Sequence, residues 1–584
     1  MNKSNLRALL TPIVLALAIV FGMMLNRFLP DRTQVSASSE MFLPVTGSKL
    51  DLIISMIQNS YVDTVDTRQI VENTIPVLLK DLDPHTVYIP AKDMQRANEG
   101  IVGNFGGVGI QFYKYLDTVT VVKVVPGGPS EKAGIKDGDR IVRVNDSLVA
   151  GVKMSQDKIQ ELMRGELGTK VELTIARRGE PQLIKKEVVR RSIPVKSVDV
   201  AYMLNDTTGY LKTNTFGMHT YAEFMQALVK LKAEGMRKII IDLRENEGGV
   251  LPIAIQMINE FLDADRLILY TQGQAQPRAD YKSNGKGQFK DLRVDVLISE
   301  FSASASEIFA GAIQDNDRGL IIGRRSFGKG LVQEQRPLPD GSALRLTVAR
   351  YYTPSGRSIQ KPYNEGKEKY YNDIYNRLVH GEFSQKDSIV FDENLKYQTV
   401  GGRTVYGGGG IMPDVFVPQD TTGVTSYLSS VINRGLTLQF TFQYTDNNRK
   451  KLSQYETEED LLNYLRHQGL VEQFIRFADS KGVKRRNILI QKSYKRLEAN
   501  IYGNIIYNML GLEAYLKYFN KSDATVQQGI ELLEKGEAFP KAPAETEEEV
   551  TKDNKDGKKK RTAQAYGITE DPTRIFDFAE ATIS

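Results

Sequence analysis

Between residues 198 and 420, short runs of consecutive apolar residues alternate with stretches of helical composition, and this alternation predicts an α/β domain. The runs lie at residues 238–243 and 294–298, and a period-two run follows at Leu344, Leu346 and Val348. A segment rich in Tyr, Asn, Lys and Glu, residues 363–400, breaks the rhythm and reads as an insertion. The whole chain, 584 residues, is too long for one hydrophobic core, so further domains are expected on either side.

Residues 45–100 read as short amphipathic helices, with Leu50, Ile53, Ile54 and Ile57 and then Ile70, Ile75, Val77 and Leu78 on their apolar faces. Residues 101–195 describe a small, mainly antiparallel domain: strands at 120–125 and 140–144, a Pro126-Gly127-Gly128-Pro129 turn, and a helix at 155–164. The α/β core then occupies 196–423. From 424 to 540 the pattern is helical, with Thr457-x-x-Asp460 resembling a capping box before Leu461, Leu462 and Leu465, and Gly482 fitting a helix stop. The stretch 541–584 opens with an acidic cluster, Glu547-Glu548-Glu549, and a basic one, Lys558-Lys559-Lys560-Arg561, and reads as a disordered tail.

At the amino end, Lys3 and Arg7 precede an almost unbroken apolar run of 18 residues, 8–25, the lower limit for spanning a bilayer as a helix. Residues 1–32 are therefore a membrane anchor or a signal segment. The anchor is favoured, because Asn26, Arg27, Asp31 and Arg32 intervene before the small residues Val35-Ser36-Ala37. The positive flank keeps the amino terminus in the cytoplasm and exports the rest, which in a bacterium means the periplasmic or outer face of the inner membrane. The lack of cysteine excludes disulfides, thiolate zinc sites and a cysteine nucleophile. His85, His219, His380 and His467 have no metal-site spacing and read as ordinary packing or surface residues; no metal and no organic cofactor are expected. A net charge of +5 without a Lys/Arg stripe argues against nucleic acid as a partner.

Chemistry concentrates in residues 294–333. An apolar strand runs into Phe301-Ser302-Ala303-Ser304-Ala305-Ser306-Glu307 and then into a helical composition, Ile308 to Ala312. A serine on such a strand-turn-helix projects its hydroxyl at the sheet edge, where helix N-terminal amides can receive an oxyanion. Three serines compete, and plain N-capping would explain them as well. Another strand, 239–241, ends at Asp242-Leu243-Arg244-Glu245-Asn246-Glu247-Gly248-Gly249, whose paired glycines permit close backbone approach or a simple turn.

Ser304-Ala305-Ser306-Glu307-Ile308 followed by Ser326-Phe327-Gly328-Lys329-Gly330-Leu331-Val332-Gln333 resembles the signature of the carboxyl-terminal processing peptidases, S41-type serine proteases with a PDZ domain. The resemblance implies Ser304 as nucleophile, Lys329 as base and Gln333 as the residue that orients the lysine. The spacing of the first two, 329 − 304 = 25, matches the family. It further implies an oxyanion hole made by Ala305 N–H with Gly248 or Gly249, and a crotonase-like α/β core with an inserted PDZ domain. Gly107-Val108-Gly109-Ile110, Pro129-Ser130 with Ala133-Gly134-Ile135, and Gly138-Asp139 carry the PDZ likeness. A PDZ domain adds a peptide as an extra strand and receives its carboxylate on backbone amides, here those of Gly107, Val108, Gly109 and Ile110.

Leu82-Asp83-Pro84-His85, Tyr351 to Gly356 and Gly410-Ile411-Met412-Pro413-Asp414 are further landmarks, so the likeness covers roughly 47–420. The insertion and the chain after 424 depart from it, and bear on regulation and assembly rather than on chemistry. A lysine base must be neutral near pH 7, and Phe327, Leu331 and Val332 are the residues expected to keep Lys329 dry. The expected partners are proteins or peptides with free carboxyl termini, the inner membrane, and a second copy or a regulatory protein. Two rival readings are a non-catalytic PDZ scaffold of the cell envelope and a crotonase-like acyl-transfer enzyme; the intact dyad counts against the first, and the PDZ likeness against the second.

Overall fold

The computed structural model describes residues 48–115 and 117–536. The anchor or signal segment at 1–32 and the tail at 541–584 lie outside the described residues. Among the described residues no helix is long and apolar enough to cross a membrane. The chain divides into two compact units, 1–74 and 75–584. The first contains the helix Lys49–Ser60, closed at its start by a capping box between Ser48 and Asp51.

The second unit is built on a six-stranded sheet. Val198–Met203 runs antiparallel to Thr208–Thr213, and Lys238–Asp242, Arg293–Ile298, Gly319–Gly323 and Val415–Phe416 follow in parallel. Strands buried on both faces lose the polar alternation of half-exposed ones, which explains three successive isoleucines. Ile239 and Ile241 face a core shared with the helices Thr220–Ala233, Leu251–Asn259 and Ala305–Asp315, while Ile240 faces a second core with Leu297 and Ile322. That second face is covered by the helices Leu512–Asn520 and Ala524–Lys535, which supply Val526 and Leu533. Gly529 brings the last helix down onto Ile240 and Ile322.

A second, antiparallel sheet is centred on Ala343–Tyr352, flanked by Leu331–Pro337, Val87–Ile89 and Leu267–Gln272, with Ala279–Lys282 at its edge. Strand Leu331–Pro337 follows Gly319–Gly323 directly in the chain, so the loop between them joins the two sheets.

The small β domain opens and closes on one antiparallel pair, Asn104–Gly107 with Arg191–Pro194. Its own sheet is ordered Ile110–Tyr115, Thr118–Val124, Arg140–Val144, Lys170–Ala176, Ile184–Val189, which leaves Ile110–Tyr115 at an edge. Helix Gln156–Met163, capped by Ser155, packs Ile159 and Met163 into its core. After the core, helices Ser426–Asn433, Leu436–Leu452, Glu458–Arg466, Leu470–Ser480 and Asn487–Leu510 form a bundle with its own apolar interior. Thr457 accepts from Asp460 N–H as the N-cap, and Gly482, at φ +87°, follows the cap residue Lys481.

Candidate active site

Three neighbouring parallel strands end side by side, with Asp242 opposite Leu297 and Ile298 opposite Gly323. Their carboxyl ends deliver the glycine-bearing loop 243–250, the turn carrying Ser304, and the loop 324–330 carrying Lys329. This end of a parallel sheet is where loops converge and ligands are received.

Ser304 occupies the N-cap of helix Ala305–Asp315 with φ 55° and ψ −113°, a conformation that a non-glycine residue adopts only when its surroundings impose it. Its two competitors are committed elsewhere. Ser302 is fully buried, donates to Leu243 O at 2.7 Å and accepts from Ser299 N–H at 2.9 Å. Ser306 is also fully buried and donates to Asn246 O at 2.7 Å. Ser304 alone of the three is part-exposed.

The Ser304 turn and the Lys329 loop are joined through one buried carboxylate. Glu307 Oε2 accepts Ser304 N–H at 2.8 Å and Lys329 N–H at 2.9 Å, so the two amides lie no further apart than these two bonds allow. Its Oε1 accepts Gly328 N–H at 2.7 Å and Ser326 Oγ–H at 2.5 Å. Burial pushes the Glu307 carboxyl up to about 7, against the pull of these four hydrogen bonds. Tyr351, wholly enclosed, adds a second tie: its hydroxyl donates to Lys329 O at 2.6 Å and lies 3.1 Å from Ser304 O. Sequence reasoning noted Glu307 only as part of a motif; a glutamate three residues after an N-cap signals a capping box, and its further reach into a second loop has no local signature.

Burial lowers the pKa of Lys329, and the like charge of Arg345 lowers it further, while Glu307, Glu247 and Asp83 oppose the shift. Among the described residues no carboxylate forms an ion pair with its amine. Leu331 is buried, and Phe327 and Val332 are part-buried. Gln333 lies on the strand after the loop, and its amide Nε2–H donates to Thr347 Oγ1 at 3.3 Å. Thr347 donates in turn to Asp83 Oδ1 at 2.9 Å, and Thr86 Oγ1–H donates to Asp83 Oδ2 at 2.5 Å. Burial opposes it, but these bonds and that from His85 N–H hold the Asp83 carboxyl below its ordinary value. The Gln333 side chain is therefore hydrogen-bonded to Thr347, where orientation of the lysine amine was expected.

His85, read from sequence as an ordinary packing or surface residue, belongs to this site. Its Nε2 lies 2.9 Å from the hydroxyl of Tyr370, a residue of the inserted helix Lys367–Val379. Burial, and next the charge of Lys329, push its pKa down to about 3, so the ring stays neutral. Through Tyr370, which also meets the Phe327 ring, the insertion thus reaches the wall of the candidate site, a placement that the expected link to regulation and assembly did not include. Its distance in sequence from Lys329 and its polar composition hid the contact.

On the glycine loop, Asn246 accepts Ala303 N–H on its carbonyl at 3.0 Å and Gly248 N–H on its Oδ1 at 2.8 Å. A Cβ at Gly248, whose φ is +105°, would lie 2.8 Å from Ser304 Cβ and 2.8 Å from Ala305 N. Among the described residues neither Ala305 N–H nor Gly249 N–H has an acceptor. Of the four expected peptide-binding residues, Gly107 is paired with Arg191 and Ile110 starts the edge strand. Between them the carbonyls of Val108 and Gly109 accept Ser130 N–H and Val125 N–H, while the Val108 and Gly109 amides have no acceptor among the described residues. Gly109 is left-handed, φ +73°, and a side chain there would press on Ile193 and Pro129 at 3.1 Å.

Residues 207–366 match peptidase family S41, residues 120–177 match the PDZ domain family, and residues 427–511 match a family of unknown function. A probable CtpA-like serine protease of Staphylococcus epidermidis is 33% identical over 314 residues, 53% of this chain and 62% of that protein. Its counterpart in Staphylococcus haemolyticus is 33% identical over 313 residues, with the same coverage. The chain thus spans 62% of the length of these curated relatives. Among solved structures, the photosystem II D1 C-terminal processing protease is 27% identical, covering 54% of this chain and 91% of that one, with a TM-score of 0.31. The PDZ domain of a carboxy-terminal protease from Vibrio cholerae, solved with a peptide, is 26% identical over 15% of this chain and 97% of its own, with a TM-score of 0.15. The α/β core carries an S41 peptidase domain, and the small β domain is a PDZ domain.

Proposed function

We propose that this chain, which carries an S41 peptidase domain and a PDZ domain, is a serine endopeptidase of the bacterial cell envelope that captures exported proteins by their carboxyl tails and cuts them with a Ser304–Lys329 dyad. The observation that carries the reading is the division of labour among three serines: two hydroxyls are buried in structural hydrogen bonds, and the third is held in a strained turn tied to a half-buried lysine through Glu307.

In the proposed reaction neutral Lys329 takes the proton of Ser304 Oγ–H as the oxygen attacks the scissile carbonyl carbon. The carbonyl oxygen becomes an oxyanion, for which the unengaged amides of Ala305 and Gly249 are the available donors; Gly248 N–H is occupied by Asn246. The C–N bond breaks, Lys329 returns its proton to the leaving amine, and an acyl ester remains on Ser304. Water then attacks the ester, gives its proton to Lys329, and releases the new carboxyl terminus while Ser304 regains its hydrogen. Gln333 acts at one remove, through Thr347 and Asp83, on the wall around the lysine.

The edge strand Ile110–Tyr115 and the free amides of Val108 and Gly109 support capture of a carboxyl tail by strand addition. The basic flank and apolar run at 8–25 support a single-pass anchor with the catalytic part outside the cytoplasm. Cleavage of an unstructured protein, followed by mass spectrometry, tests the reading. Ser304→Ala and Lys329→Ala each reduce turnover to background, and Ser302→Ala and Ser306→Ala retain part of it. A dead Ser302→Ala beside an active Ser304→Ala would reassign the nucleophile, and binding without cutting by the unaltered protein would favour a scaffold.

A further inference from the structure

The inserted helix Lys367–Val379 is seated on the loop that carries Lys329. Arg377, 4% exposed, donates from Nη1 to Ser326 O at 3.0 Å and from Nη2 to Arg325 O at 2.6 Å. Its Nε–H goes to Glu382 Oε1 at 2.9 Å, and Glu382 also holds Arg325 through two bonds of 2.6 Å. Two turns earlier on the helix, Tyr370 meets the Phe327 ring edge-on at 5.7 Å. Lys361 Nζ lies 3.9 Å above the same ring and 3.2 Å from Asp373. The backbone of 325–329 is therefore gripped from the helix side by Arg377 and from the core side by Glu307, while Tyr370 packs on the Phe327 side chain. A guanidinium fork fixes two successive carbonyls at once, which a lysine cannot do.

We propose that Arg377 is a positioning residue for Lys329: by holding the carbonyls of Arg325 and Ser326 it sets the course of the loop that keeps the Lys329 amine out of water. The proposal rests on the Ser304–Lys329 reading. It assigns the insertion to the reaction, through residues that lie outside the family's motifs. The groups that face Lys329 are Arg345 from the neighbouring strand, Glu307 from the helix after Ser304, Glu247 from the glycine loop, and Asp83 and His85 from residues 83–86.

The test compares kcat/KM against pH for the unaltered protein, Arg377→Lys, Arg377→Met and Tyr375→Ala, each corrected for folded fraction by near-ultraviolet circular dichroism. Tyr375 is an exposed residue of the same helix and serves as the control. A loosened loop admits water to the amine, so in both Arg377 variants the acid limb moves to higher pH, on the order of one unit. Their kcat falls roughly tenfold while KM stays constant. The direction discriminates, because easier hydration of Glu307 would move the limb to lower pH. If Arg377→Met does not fold, Arg377→Lys, which keeps the charge and most of the volume, decides. Lower amplitude with an unmoved limb, or a limb moved downwards, overturns the positioning role while leaving the dyad intact. An unaltered protein that cuts nothing at any pH overturns the dyad and this role together.

Discussion

Gly248 shows how little room the site leaves at the scale of one atom. A methyl group there would meet Ala303 O at 2.7 Å and both Ala305 N and Ser304 Cβ at 2.8 Å, and the φ of +105° already disfavours any side chain. The neighbours are backbone and the Ser304 Cβ, so nothing flexible can give way. Gly248→Ala is therefore expected to cost roughly 2–4 kcal/mol in stability, from overpacking and from the backbone conformation together. Because relief of the clash must displace Ser304 or Ala305, turnover should fall about a hundredfold in the protein that remains folded. Thermal melting and kcat measured on the same preparation check both halves. A variant that melts earlier but turns over normally would mean that the glycine loop does not hold the serine turn.

At the scale of elements, the helix Ala524–Lys535 covers a sheet face that contains a carboxyl group, Asp295, which is 3% exposed. Its Oδ1 accepts Leu320 N–H at 3.2 Å, and among the described residues its Oδ2 has no hydrogen-bond partner. Burial, with some repulsion from Asp414, pushes its pKa up to about 7 from 3.8. The folded state therefore holds this proton over a range in which the unfolded state has lost it. The stability it contributes is complete below pH 3.8 and declines as pH rises through about 7, by on the order of 4 kcal/mol in all. Asp295→Asn should flatten that decline and melt higher than the unaltered protein at pH 8, net of the cost of one unsatisfied amide. Equal melting at pH 8 would show the carboxylate to be hydrated in place. The strands beneath this helix were legible in sequence, since runs such as Ile239-Ile240-Ile241 suit few positions other than a doubly covered sheet. Caps at Thr457 and Gly482 were legible too, because a cap is written in four adjacent residues. The contacts of Tyr370 and Arg377 with the lysine loop, and of His85 with Tyr370, were not, because each joins segments far apart in the chain through polar side chains that composition assigns to the surface.

For the whole molecule, the carboxyl-terminal helices span from the PDZ domain to the candidate active site. At one end Asp446 receives Arg140 at 2.9 Å, and Arg178 reaches Asp446 O at 2.9 Å and Asn447 Oδ1 at 2.8 Å. At the other, Asp523 caps helix Ala524–Lys535 and receives Arg244 at 2.8 Å. Arg244 is also paired with fully buried Asp242 at the foot of the glycine loop; burial alone would raise that carboxyl, but the charges of Arg244 and Lys212 and the hydrogen bonds from Arg244 and Tyr210 hold it well below its ordinary range. The two ends should fail differently. Asp523→Ala removes a cap and one partner of a mostly buried arginine, so it is expected to cost about 2–4 kcal/mol and to lower turnover of every substrate through the glycine loop. Asp446→Ala breaks contacts at a partly exposed boundary and should cost only about 1 kcal/mol, while raising hydrogen exchange at residues 138–143 and 177–178. Its kinetic effect should fall on a substrate with a free carboxyl terminus and spare the same substrate amidated, because only the first offers the carboxylate that the proposed capture requires. Equal effects of Asp446→Ala on both substrates would mean that the helices hold the PDZ domain without influencing delivery of the captured tail to Ser304.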